Sequence, residues 1–112
     1  MTARITTLGT SHGNHTYCRF NTATLVEIGD VSYLMDAGAP ANALMVRGGQ
    51  RIQNVRGVFL THMHEDHAGG LPGVIKSLLK SPDPGQHTDI FLPEVEARAG
   101  LEAWLTAIRL RW

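Results

Sequence analysis

The chain has 112 residues, enough for one small domain and not for two. Apolar residues make up 43% of it, which argues against global disorder. Ten basic side chains balance ten acidic ones, so no net charge draws the chain to nucleic acid or to an anionic membrane.

Cys18 is the single cysteine, so no internal disulfide can form, which fits a reducing compartment. Met1-Thr2-Ala3-Arg4-Ile5 lacks the apolar core of a signal peptide, and no apolar run approaches the ~20 residues of a membrane helix. The expectation is a cytoplasmic protein with no membrane contact.

Arg4 to Leu8 reads as a first strand ending at Gly9. Residues 10–21 are polar and read as a loop, with His12 and His15 among its hydrogen-bonding groups. Thr22 to Ile28 and Val31 to Met35 are two β-rich runs, and Gly29-Asp30 between them is a hairpin turn. Asp36-Ala37-Gly38 closes the hairpin. Pro40 suits a helix start and Gly48-Gly49 its end, with Ala41, Leu44 and Met45 as the apolar stripe. Ile52 and Val55 are packing positions before the next strand, Arg56 to Thr61. Its continuous apolar run predicts burial on both faces.

Leu71, Val74, Ile75, Leu78 and Leu79 then fall at i, i+3, i+4, i+7 and i+8, one face of a helix. Pro72 sits early in it, and Lys76 and Lys80 sit late, where the helix dipole favours them. Residues 81–88 form a loop in which His87 is most simply a solvated side chain. Asp89 to Leu92 is a short strand. Glu94 to Trp112 is helical, with Leu101, Trp104, Leu105, Ile108 and Trp112 on one stripe, and the pattern is still running where the chain stops.

Between the fourth strand and the helix that follows it lies Thr61-His62-Met63-His64-Glu65-Asp66-His67-Ala68-Gly69-Gly70-Leu71. Three histidines and an aspartate fall within six residues. In extended backbone His62 and His64 project to the same side. Asp66 and His67 sit where the next helix begins. Neutral imidazole and carboxylate together are a donor set that Zn²⁺, Fe and Mn²⁺ accept in open catalytic sites. A lone histidine would be read as a solvated residue; four such groups at a strand-to-helix junction point to a metal.

The pattern H-x-H-x-D-H followed by Gly-Gly-Leu resembles the metallo-β-lactamase superfamily of metal-dependent hydrolases. The resemblance implies that His62 and His64 serve a first metal, and that Asp66 and His67 serve a second. It implies Zn²⁺ as the metal, two in the intact enzyme, with Fe or Mn as alternatives. Asp66 would also orient or deprotonate the attacking water, the catalytic role. Leu8-Gly9-Thr10 resembles the opening of the tRNase Z-like branch, which makes His12 and His15 candidates for the mouth of the site. Leu34-Met35-Asp36-Ala37-Gly38 resembles the family's strand-Asp-x-Gly element, which implies that Asp36 orients a metal-bound histidine from behind.

The element order and the resemblance together imply an α/β (α+β) chain, residues 1–112 being the first half of a single αββα sandwich domain. Its mixed sheet would carry helices on one face. The family draws a further histidine, a bridging aspartate and a final histidine from its second half, and no histidine follows His87. The implied substrate is a phosphodiester or related ester, or another small molecule. Nucleic acid gains no support from charge, and a homo-oligomer is open. The alternative readings are a non-catalytic half-domain that binds metal or a partner, and an enzyme completed by a second chain.

Overall fold

A computed structural model describes residues 2–11 and 20–111. Strand β1 is Ala3–Gly9, β2 Ala23–Ile28 and β3 Val31–Met35. Helix α1, Ala41–Arg47, and a 3-10 turn, Ile52–Asn54, lead to β4, Val55–Phe59. Helices α2, Glu65–Ala68, and α3, Leu71–Lys80, precede β5, Asp89–Phe91, and α4, Val95–Ala107. The strands form one five-stranded sheet in the order β1-β2-β3-β4-β5. Both pairings among β1, β2 and β3 are antiparallel, and β4 is parallel to both β3 and β5. Gly29 opens the β2–β3 turn at φ 63°, a sign that glycine adopts freely and that tight hairpins require.

Register separates the two faces of the sheet. Leu25 faces Leu34, Leu34 faces Val58, and Val58 faces Ile90, so one apolar row crosses four strands. Leu25, Leu34 and Val58 are fully buried in one core cluster with Met45 of α1, Leu71, Val74, Ile75 and Leu78 of α3, and Leu101 and Leu105 of α4. The expected stripes of α1 and α3 are therefore buried, except that Leu79 is 45% exposed. Ile52 and Val55 are buried as expected.

The other face carries a second apolar row. Ile5 pairs with Val26, Val26 with Tyr33, Met35 with Phe59, and Phe59 with Phe91. The Phe59 and Phe91 rings stack at 4.5 Å, and Tyr33 tilts against Phe59 at 6.3 Å. Among the described residues no layer lies over this row, and Ile5 is 71% and Phe91 47% exposed. Val55 and Val58 of β4 are buried on the core side, whereas Phe59 on the outer face is only half-buried, short of the burial expected on both faces.

Two helices end alike, and only one ending is visible in sequence. At the end of α1 the Gly49 N–H donates to Val46 O and the Gln50 N–H to Met45 O, with Gly49 at φ 77°. At the end of α4 the Arg109 N–H donates to Thr106 O and the Leu110 N–H to Leu105 O, with Arg109 at φ 63°. Both are Schellman endings, which satisfy carbonyls of the last turn. Helix α4 thus stops at Ala107 rather than running to Trp112, which lies outside the described residues. Leu101 and Leu105 of its expected stripe are buried, whereas Ile108 is 45% exposed.

Two polar contacts pin the loops. The Arg51 guanidinium forks onto Asp83 at 2.5 and 2.6 Å, tying the 3-10 turn to the loop after α3. These hydrogen bonds hold the Asp83 carboxyl below its ordinary range. Buried Ser11 donates its hydroxyl to buried Asn21 at 3.1 Å.

Candidate metal centre

Parallel pairing of β3 and β4 brings the C-terminal ends of both strands out side by side. Asp36 follows β3, and Leu60-Thr61-His62 follow β4. The Asp36 N–H donates to Phe59 O at 2.7 Å, which ties the two exits together. The Ala37 N–H donates to His67 O and the Gly70 N–H to Ala37 O, each at 2.7 Å. The β3 exit is thereby bonded by backbone to the chain around α2. Glycine makes this approach feasible. A Cβ on Gly38 would stand 2.5 Å from Asp66 O, and one on Gly70 would stand 2.7 Å from Gly38 O.

Asp36 sits at φ 61°, a region that aspartate enters more readily than most residues. It is 5% exposed. Its Oδ1 accepts the Thr61 N–H at 2.8 Å, and its Oδ2 lies 2.8 Å from His67 Nδ1. The other ring nitrogen, His67 Nε2, is 3.4 Å from Asp66 Oδ2. A carboxylate behind one ring nitrogen, with the other turned toward a further potential ligand, is the usual pose of a metal-binding imidazole.

His62, Asp66 and His67 each offer a donor atom, and these atoms lie within 4.8 Å of one another. The ring centroids of His62 and His67 are 3.8 Å apart. His64 is outside that group of three; its ring stands edge-on to His62 at 4.7 Å, and it caps α2 through its carbonyl, which accepts the His67 and Ala68 N–H groups. A tetrahedral site with bonds of about 2.0–2.1 Å places its ligand atoms about 3.4 Å apart. The spacing of the three donors, and their mixture of imidazole and carboxylate, fits a divalent metal after small side-chain rotations.

Among the described residues, His87 does not join them. His87 pairs with Asp89 at 2.8 Å on the exposed side of the molecule. His12 and His15, expected at the mouth of the site, lie outside the described residues, as does Cys18. Thr61 was given no role by the sequence, yet its hydroxyl lies within 3.2 Å of Asp36 and of His62 Nδ1. A hydroxyl residue directly before the first histidine, at a strand end, was the signal available.

Residues 3–101 match the family model described as Anti-Pycsar protein Apyc1. The chain belongs to this family. The Apyc1 family match spans nearly all the elements described above, the strand-to-helix motif included. Among curated relatives, Ribonuclease Z of Synechococcus sp. (strain CC9902) is 33% identical over 107 residues, covering 94% of this chain and 32% of the relative. The chain thus spans about a third of the length of the curated relatives it matches. Among solved structures, human tRNase Z, short form, superposes with a TM-score of 0.87 at 21% identity, over 98% of this chain and 42% of that one. The metallo-β-lactamase fold protein YhfI of Bacillus subtilis gives 0.73 at 21% identity, over 89% and 40%. The mixed sheet with its helices is part of the metallo-β-lactamase fold, as the motif implied. Among the described residues no helix is long and apolar enough to cross a membrane.

Proposed function

We propose that the chain is the metal-binding half of a metal-dependent hydrolase acting on phosphodiesters or related esters. The observation that carries this reading is the convergence of His62, Asp66 and His67 beside a buried carboxylate that orients one of the rings. The relatives named Ribonuclease Z support a phosphodiester substrate, RNA included, although a net charge of zero gives the chain no general attraction for polyanions.

In this reading His62 and His64 hold one metal, for which the His64 ring would have to turn inward, and Asp66 and His67 a second, with Zn²⁺ preferred and Fe or Mn as alternatives. A bound divalent metal would supply a Lewis acid for the phosphoryl or acyl oxygen and would lower the pKa of bound water toward neutrality. Asp66, partly exposed beside His67, would orient or deprotonate the attacking water. Asp36 holds the His67 ring so that Nε2 faces the site. Gly38 and Gly70 let the wall of the site close by backbone alone.

We also propose that residues 1–112 form one layer of a two-sheet αββα domain. Support comes from the length of the relatives and from the uncovered row on the outer sheet face. The remaining metal ligands and the acid for the leaving group then belong to the other layer. A second chain could supply that layer, a reading that rests on the same uncovered row. We also propose a cytoplasmic setting for such an enzyme, supported by its single cysteine, which fits a reducing compartment.

Isothermal titration with Zn²⁺ tests the metal centre. The 112-residue chain should bind weakly, because its donors lack partners from a second layer. The double variant His62→Ala, His64→Ala should abolish that binding. Binding unchanged in the double variant would remove the motif from the account.

A further inference from the structure

We propose that Thr61 is a positioning residue through which Asp36 sets the tautomer of His62. The inference rests on the metal-centre reading only for its purpose; the hydrogen bonds stand without it. Thr61 Oγ1 lies 3.0 Å from Asp36 Oδ1 and 2.9 Å from Asp36 Oδ2. The same oxygen lies 3.2 Å from His62 Nδ1 and 3.5 Å from His67 Nδ1.

A hydroxyl has one proton and two lone pairs, and a carboxylate only accepts. Hydroxyl and carboxylate oxygens 2.9–3.0 Å apart repel unless a proton lies between them. The Thr61 proton therefore goes to Asp36. What Thr61 turns toward His62 is a lone pair, so His62 Nδ1 must carry a hydrogen and donate it. His62 Nε2 is then left with its lone pair, available to a metal. His67 reaches the same state directly, by donating Nδ1–H to Asp36 Oδ2 at 2.8 Å. One buried carboxylate thus presents two imidazoles in the same tautomer, one by contact and one through a hydroxyl. The Thr61 N–H bond to Asp36 Oδ1 at 2.8 Å keeps the relay in register.

Long-range ¹H–¹⁵N correlation of the histidine rings reads the tautomers in the intact, metal-free protein. At pH about 9 imidazole is ordinarily neutral. Both His62 and His67 are expected as Nδ1–H. Thr61→Val keeps the backbone N–H and the shape but removes the relay, so His62 should move toward Nε2–H while His67 stays Nδ1–H. Thr61→Ser should restore His62. Zinc affinity should fall about 10-fold or more in Thr61→Val and recover in Thr61→Ser, the range found when groups behind metal ligands are removed.

His62 found as Nε2–H in the unaltered protein overturns the relay without reference to any variant. A His62 signal unmoved by Thr61→Val, with His67 intact as the folding control, overturns it as well. Nδ1–H at His62 in a protein that binds no zinc supports the relay and overturns the metal proposal instead.

Discussion

Asp66→Asn is expected to slow hydrolysis of bis-(p-nitrophenyl) phosphate by on the order of 10²-fold or more, with far less change in substrate binding. The protein to use is one carried to the length of its relatives. Asparagine keeps the shape of the side chain and one acceptor, but loses the charge and the capacity to take a proton. Asp66 stands 3.4 Å from His67 Nε2, close enough to share a ligand sphere with it. Its removal should therefore appear in kcat rather than KM, because the lost interaction is with water and metal rather than with the substrate. The 112-residue chain assayed alone should show little or no turnover, and chelator should abolish that of the longer form. Equal, chelator-sensitive rates from both lengths would refute the two-layer proposal. Turnover that survives chelation, or full-rate Asp66→Asn, would refute the metal-dependent mechanism.

Light scattering on the 112-residue chain should give dimers or larger species. The cause is the outer row of the sheet: Ile5, Val26, Tyr33, Met35, Phe59 and Phe91. Covering a large apolar side chain is worth about 1.5–3 kcal/mol, so a contiguous row of this kind favours association. The helices cannot supply the cover, since α1, α3 and α4 contribute their buried residues to the core on the opposite face. Ile5→Lys combined with Phe91→Glu places charge at both edges of the row and should raise the monomer fraction. A cooperatively unfolding monomer in the unaltered chain would show that the row is stable in water and needs no second layer.

What could be read from sequence follows from what periodicity reports. The β3 strand was legible as a β-rich run, and the α3 stripe because 3.6-residue spacing says which side of a helix is apolar. Neither says whether another layer covers that side, which is why the run in β4 suggested two buried faces. The end of α1 was announced by Gly48-Gly49, whereas α4 ends through Arg109 in the same left-handed position without a glycine to mark it. The metal motif was legible because its donors are close in sequence. Asp36 was reached through the resemblance of Leu34 to Gly38 to a family element. Thr61 escaped because its role depends on a carboxylate 25 residues away, and no local pattern carries such a pairing.

That distance also bears on how the site comes into being. The β2–β3 hairpin turns over two residues and can form within microseconds. The bonds of Asp36 to Thr61 and to His67 span 25 and 31 residues. They need the parallel β3–β4 pairing, and so a closed crossover through α1. Loop closure must precede contacts of this range, which makes them slow to form. The donors of the motif are adjacent in sequence, but their pose is a late product of folding. In pulsed hydrogen exchange the Thr61 amide should gain protection after the hairpin amides do, and simultaneous protection would place the crossover in the earliest event. A nascent chain would accordingly carry all four donors before it holds them in place, binding metal loosely at first and firmly only once β4 has docked beside β3.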